Sequence, residues 1–147
     1  MISGEKLRKL RLLRKLTQKE LAYMSGLTDS AIRNYELGYR SPDKEQLKKI
    51  AEALQCDVSA LVDHTPISIF EFMQVVFDYE KEFKIRPLVE GSTLGLIFHE
   101  ENFNDFIKEW DDMRKKHYNG EISDEEFDDW KLSYPKKSKS FKLKRGK

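Results

Sequence analysis

Apolar side chains recur at three- and four-residue intervals through the first part of the chain, a period typical of amphipathic helices. Leucines among Lys and Arg predict a first helix over residues 3–15, with a basic outer face. Thr17 and Glu20 have the spacing of a capping box, so a second helix begins at Thr17. Gly26 can adopt the positive φ that ends such a helix and bends the chain. The pattern therefore predicts short helices joined by tight turns.

The next helices are marked by their start and stop residues. Thr28 is placed to cap a third helix, which stops at Gly38. Ser41 and Pro42 predict the start of a fourth helix, with the proline in its first turn, and residues 58–62 make a last turn or two. Residues 1–64 therefore form a domain of five helices, which is large enough to close a small core on its own.

A second unit is predicted over residues 67–134, after a break near His64 and Pro66. Its apolar pattern changes between the helical and the strand period, in the order α-β-β-α-α. The predicted helices cover residues 67–82, 101–118 and 123–132, and the predicted strands cover Ile85–Val89 and Leu94–Phe98. Residues 135–147 are rich in Lys and Ser and are expected to be disordered. The fold class is therefore mainly α, with a small α+β domain and a basic tail after the first domain.

The second unit is unusually aromatic. We interpret most of these side chains as core, although a unit this small leaves room for an apolar surface that serves self-association or binds a small effector. The stripe consists of Phe70, Phe72, Phe77, Tyr79, Phe103, Phe106 and Trp110.

Formal charge is nearly balanced, with 27 Lys and Arg against 26 Asp and Glu, but its distribution is uneven. Residues 1–64 carry +3, residues 65–134 carry −9 and residues 135–147 carry +7. Such asymmetry is typical of proteins that contact nucleic acid. No apolar run is long enough to cross a membrane, no secretory core is present, and the single cysteine, Cys56, is expected to be a buried packing residue. We therefore expect a cytoplasmic protein.

No group of residues predicts catalysis or a metal site. Gly120 and Glu126 match the second half of a calcium-binding loop, but Lys115 and His117 stand where its first half needs oxygen ligands. The dense carboxylates of the second unit are interpreted as a solvated helix face. We expect no enzymatic activity and no cofactor.

Residues 18–36 carry the pattern of a helix-turn-helix. Ala22 lies where two helices cross closely, Gly26 makes the turn, and a set of apolar residues holds the pair together. That set is Leu21, Leu27, Ile32 and Tyr35. With the helix before it and the residues behind it, this pattern resembles the phage repressor and Cro-like (XRE-type) helix-turn-helix family over residues 3–62. The resemblance implies a five-helix DNA-binding domain that works as a dimer on two half-sites.

The resemblance also implies that the second motif helix, residues 29–36, enters the major groove and contacts base edges. Its outward residues are Asp29, Ser30, Arg33 and Asn34. Arg33 can pair with guanine and Asn34 with adenine through two hydrogen bonds each, and Ser30 can donate or accept. Asp29 has two interpretations, an acceptor for cytosine or a charge that favours the start of a helix.

The resemblance implies that Gln18, at the start of the first motif helix, contacts a DNA phosphate. Lys19, Tyr39 and Arg40 border the same surface and are predicted to contact phosphates as well. Some of the exposed basic residues of the first helix are expected to do the same, and the candidates are Lys6, Arg8, Arg14 and Lys15. The resemblance further implies a partly buried ion pair between Arg11 and Glu36, which we interpret as structural.

These features predict a sequence-specific transcriptional regulator that binds double-stranded DNA, with repression as the expected mode. We expect a homodimer, with a small-molecule or protein effector acting at residues 67–134. The alternative is an antitoxin-like interaction module, in which the helix-turn-helix or the acidic domain binds a protein partner.

Overall fold

The computed structural model describes residues 1–64 and 68–135 and is mainly helical, as predicted. Its α-helices are α1 Gly4–Leu13, α2 Gln18–Ser25, α3 Asp29–Glu36, α4 Lys44–Ala53, α5 Ile69–Tyr79, α6 Glu101–Tyr118 and α7 Asp124–Ser133. A 3-10 turn spans Val58–Leu61, and the strands are β1 Ile85–Glu90 and β2 Thr93–Phe98. The predicted break at residues 65–66 and the predicted tail beyond residue 135 lie outside the described residues. No described helix has both the length and the apolar character needed to cross a membrane.

Side chains cap the helices at or close to the predicted positions. Thr17 and Glu20 form the predicted capping box at the start of α2. The prediction for α4 is wrong by two residues, because the N-cap is Asp43 and not Ser41. The Asp43 carboxylate accepts the backbone amide of Gln46 at 2.8 Å, a bond that proline cannot supply, so Pro42 stays outside the helix.

The core of the first domain lies between α1, α2, α3, α4 and the 3-10 turn. Its buried side chains are Ile2, Leu7, Leu10, Leu21, Ala22, Ile32, Tyr35, Ile50, Ala51, Leu54, Cys56 and Leu61. Cys56 is fully buried among them, as the sequence predicted. The last helical segment is a single 3-10 turn, and Ile2 forms a β-bridge with Val62 directly after it.

The sequence predicts one domain over residues 1–64 and a second over residues 67–134. The structure divides the chain differently. Among the described residues, residues 1–64 pack with residues 114–135 as one unit, and residues 68–113 form the other. The helix α7 was expected in the acidic second domain, and the structure instead packs it against α1 and the 3-10 turn. The unit that contains the first domain therefore includes a helix from the far end of the sequence.

Ion pairs and buried apolar side chains hold α7 against α1 and the 3-10 turn. The Lys9 ammonium lies 2.9 Å from a carboxylate oxygen of Asp128, and the Arg14 guanidinium lies 2.5 Å from one of Asp129. Trp130 is buried, and Leu132 packs on the core of the first domain. The sequence analysis missed this contact because the two basic and two acidic side chains are more than a hundred residues apart.

The second unit contains α5, a β-hairpin and the first part of α6. The strands pair antiparallel, and Glu90 opposite Thr93 leaves a two-residue turn in which Gly91 has a φ of +59°. Phe98 stacks on Phe103 with ring centroids 4.6 Å apart, which connects the hairpin to α6. Both predicted strands and this predicted helix are therefore present.

The prediction that the aromatic stripe of this unit is mostly core is wrong. Phe70 is 76% exposed and Phe77 is 56% exposed, and α5 has no buried residue. Phe103 and Phe106 are half-buried. The physical reason is size, because so short a segment has too few elements to surround an apolar helix on more than one side.

Asp128→Asn tests the charged contact between α7 and α1. Hydrogen bonds from Lys9 and then Lys131 hold the pKa of Asp128 below its ordinary value. A lowered pKa in the folded state gives stability that is present above about pH 4 and is lost as the pH falls through the lowered value. We therefore expect the variant to be less stable at pH 7, by at most about 1 kcal/mol because the site is partly exposed, and to lose less stability in acid.

Urea unfolding at pH 7 and at pH 3 measures this difference. Glu125→Gln is the matched control, because Glu125 is an exposed carboxylate of the same helix. Equal pH dependence in the Asp128 variant and the unmodified chain would show that the contact contributes nothing to stability.

Candidate nucleic-acid interface

The helix α3 presents one polar face outward and one apolar face to the core. Ile32 and Tyr35 are buried, whereas Asp29, Ser30 and Arg33 are exposed. At 100° per residue, the four predicted base-contact positions cover an arc of about 140° on the outer side of the helix. Asn34, the fourth, is half-buried at the edge of this arc. The structure therefore brings all four predicted residues onto a single surface.

The start of α3 is capped by Thr28, which accepts a hydrogen bond from the backbone amide of Ala31 at 3.2 Å. Asp29 therefore does not serve as the N-cap, although its charge is favourable in the first turn. The Ser30 hydroxyl lies 3.1 Å from the Thr28 hydroxyl, and either can be the donor. This contact orients the hydroxyl that was predicted to approach a base.

The backbone after α3 is tied to the same helix. The Asn34 carbonyl accepts the amide of Tyr39 at 2.9 Å and the amide of Arg40 at 3.4 Å. Gly38 has a φ of +74°, a value that glycine adopts without steric cost. The side chains of Tyr39 and Arg40 are both exposed just after the end of α3. Two of the four predicted phosphate contacts are thus accessible on a fixed turn.

A network of three side chains joins α1, the start of α2 and the end of α3. Glu36 and Arg11 form the ion pair implied by the resemblance, with contacts of 2.5 and 3.1 Å between two guanidinium nitrogens and two carboxylate oxygens. Gln18 donates to Glu36 Oε2 at 2.8 Å, and Arg11 also donates to the carbonyl of Leu16 at 2.7 Å. The side chains of Arg11 and Glu36 are only 9% and 4% exposed. The network therefore sets the position of the Gln18 side chain relative to α3.

The sequence analysis missed a second constraint on α3, which is Gly4. A Cβ built at this position would lie 2.4 Å from the carbonyl oxygen of Glu36 and 2.7 Å from that of Tyr35. The start of α1 therefore touches the backbone at the end of α3, and only glycine allows this approach. A glycine in the first turn of a predicted helix is the one signal that the sequence offered.

Two of the four basic residues from which some phosphate contacts are expected have partners within the fold. Lys6 donates to the carbonyl of Val62 at 2.9 Å, and Arg14 donates to the carbonyl of Leu54 at 2.8 Å and pairs with Asp129. These contacts leave Arg8 and Lys15 as the more accessible of the four candidates. Arg8, Lys15 and Lys19 are exposed.

Comparisons with known proteins agree with this geometry. A family model described as helix-turn-helix matches residues 7–61. The HTH-type transcriptional repressor RghR of Bacillus subtilis (strain 168) is 34% identical over 124 residues, which span 83% of this chain and 91% of the relative. The chain therefore belongs to the XRE-type helix-turn-helix family and is a DNA-binding transcriptional regulator.

A solved structure is also similar to part of the chain. It is the solution structure of the DNA-binding domain of the P22 C2 repressor, which has 32% sequence identity and a TM-score of 0.39. The match covers 40% of this chain and 78% of that domain.

Glu36→Gln tests the network that positions α3. The variant removes the charge that compensates buried Arg11, and leaving a buried charge without its partner costs about 3 kcal/mol of unfolding free energy. Glu45→Gln is the matched control, since Glu45 forms an exposed pair with Lys49 at 3.1 Å, and we expect a change below about 0.5 kcal/mol. Chemical denaturation of both variants measures the difference, and equal midpoints would mean that the Arg11–Glu36 pair does not stabilise the domain.

Proposed function

We propose that this regulator binds operator DNA by inserting α3 into the major groove, with Ser30, Arg33 and Asn34 in contact with base edges. The observation that carries the proposal is the outward polar arc of α3, whose four residues share one face of a helix held at both ends. Thr28 caps its start, and the pair of Arg11 and Glu36 holds its end.

The chemistry of the arc fits the donor and acceptor pattern of the major groove. The Arg33 guanidinium can donate two hydrogen bonds to O6 and N7 of guanine, and the Asn34 amide can pair with N6 and N7 of adenine. Asp29 is included as an acceptor for N4 of cytosine, because Thr28 rather than Asp29 fills the capping role. Four contacts on one helix face can distinguish a short run of base pairs.

We assign the phosphate contacts to Gln18, Lys19, Tyr39 and Arg40. Gln18 and Lys19 lie in the first turn of α2, where backbone amides point along the helix axis and favour an anion. Tyr39 and Arg40 lie on the turn that the Asn34 carbonyl anchors. Phosphate contacts fix the register of a protein on the duplex and determine how strongly salt weakens binding.

We further propose that the chain acts as a homodimer on two half-sites. One recognition helix of eight residues covers a single half-site, whereas helix-turn-helix dimers contact two half-sites about one DNA turn apart. The exposed apolar side chains of the second unit supply a surface for self-association. The effector expected at residues 67–134 stays a prediction.

Selection from a random duplex pool at near-physiological salt, with the full chain, tests this function. We expect enrichment of a two-fold symmetric site with half-sites about 10 base pairs apart. If no sequence is enriched, the proposal of sequence-specific DNA recognition is wrong. That result would favour the alternative, in which the chain binds a protein partner.

Arg33→Ala is expected to lose roughly 1 to 3 kcal/mol of binding free energy on the selected site and to relax the preference at one position of each half-site. Titration of labelled duplexes that carry each of the four base pairs at that position measures both effects. Arg114→Ala is the control, because Arg114 is an exposed arginine of α6 that is not among the predicted DNA contacts. A uniform loss of affinity on all four duplexes would contradict base recognition by Arg33.

Arg40→Gln is expected to weaken binding on every sequence by a similar factor, since a phosphate contact carries no sequence information. The plot of log affinity against log salt concentration should lose about one unit of slope for the removed charge. Lys48→Gln is the control, because Lys48 is an exposed lysine on α4 outside the predicted surface. An unchanged salt slope for Arg40→Gln would exclude a phosphate contact by this side chain.

A further inference from the structure

The hairpin of the second unit has one face made entirely of apolar side chains. The register places three cross-strand pairs on this face, Ile85 with Phe98, Pro87 with Leu96 and Val89 with Leu94. Ile85 is buried at the base of the hairpin, but Val89 and Leu94 are 72% and 74% exposed near its turn. Phe98 stacks on Phe103 at the base of the hairpin, whereas the apolar side chains near the turn are left exposed to water.

The two edges of the hairpin differ in what they offer a partner. Hydrogen-bonded pairs alternate along an antiparallel ladder, and the amide of His99 donates to the carbonyl of Lys84. By this alternation, Pro87 directs its backbone nitrogen away from β2, where it has no N–H to donate. The free edge of β1 therefore resists a further strand.

The free edge of β2 has the opposite character. By the same alternation, Leu94, Leu96 and Phe98 direct their backbone amides and carbonyls away from β1. The strand Thr93–Phe98 contains no charged residue and no proline that would discourage pairing. In the described part of the chain the sheet has only two strands, so this edge has no third strand beside it.

Charge restricts where a second copy of the chain can bind. Residues 68–113 contain 11 acidic and 4 basic side chains, so two copies of this unit repel each other over most of their surface. The strand β2 is free of charge and is where two copies can approach with least repulsion. An antiparallel pair of identical strands is also self-complementary, as a two-fold interface requires.

We propose that β2 pairs antiparallel with β2 of a second copy of this chain, which extends the hairpin to a four-stranded sheet. The inference rests on the proposed dimeric function and names the surface that forms the dimer. The outward-facing positions fix the register: Leu96 lies opposite Leu96 at the two-fold axis, and Leu94 lies opposite Phe98. The apolar faces of the two hairpins then form one continuous surface.

Disulfide trapping of Leu96→Cys in the full chain tests this register. Hydrogen-bonded partners in an antiparallel pair have Cα atoms about 5.5 Å apart, which suits a disulfide. The natural cysteine, Cys56, is buried, so the new thiol is the accessible one. Val89→Cys is the matched control: its side chain is on the same face, but it lies on β1, and the proposed sheet separates the two copies of β1 by about 14 Å.

We expect mild oxidation to convert most of the Leu96→Cys chain to a covalent dimer and little of the Val89→Cys chain. A chain that is dimeric in solution but gives no faster trapping at position 96 than at position 89 would overturn the β2 interface and leave the dimeric regulator intact. A chain that is monomeric both free and on its operator would overturn the dimer itself.

Leu96→Pro provides a second measurement that does not depend on oxidation. Proline at position 96 has no N–H to donate at the proposed two-fold axis, in the same way that Pro87 has none at the outer edge of β1. The hydrogen bonds within the hairpin are kept, because the amide of residue 96 points away from β1. We expect it to raise the dimer dissociation constant by at least about tenfold, whereas Leu96→Val, which keeps the N–H, stays within about threefold. Sedimentation measures the constants, and circular dichroism verifies that both variants are folded. Equal dissociation constants in two folded variants would contradict pairing through this edge.

Discussion

The Glu36 carboxylate is the group on which the geometry of the DNA-binding domain depends. It accepts hydrogen bonds from Arg11 on α1 and from Gln18 on α2, and it is itself part of α3. Because the carboxylate and the guanidinium are both nearly excluded from water, neither can leave the pair without a large desolvation penalty. The close approach of Gly4 to the end of α3 depends on the same arrangement. Three helices thus share one anchor beneath the surface that we propose binds DNA.

The contact of α7 with α1 changes which basic residues are available for DNA. Lys9 and Arg14 pair with acidic residues of α7, and Lys6 donates to a backbone carbonyl, so much of the positive charge of α1 is compensated within the fold. The exposed basic side chains of α2, α3 and the turn after α3 remain next to the recognition helix. We therefore expect the electrostatic surface for DNA to be narrower than the basic excess of the sequence indicated and to centre on the helix-turn-helix, with Arg8 and Lys15 also exposed.

The second unit follows a different physical rule, because it buries little of its own apolar surface. The helix α5 has no buried residue, and the hairpin exposes its apolar face near the turn. Such exposure is unusual for a segment that acts alone and is typical of an interaction surface. The chain therefore combines two different units. One has a closed core and a polar outer face on α3, and the other exposes an apolar surface.

The sequence by itself determined the local structure of this protein. Caps such as Thr17 and Thr28, the turn at Gly26 and the periods of apolar residues act over a few residues, so they predicted nearly all of the helices, both strands and the outward positions of α3. Only the tertiary structure decided where α7 packs, that Lys6 and Arg14 have partners within the fold, that Gly4 touches α3 and that the aromatic residues of α5 are exposed. The reason is that these features depend on which distant segments meet, and the period of apolar residues along one element does not specify its partner.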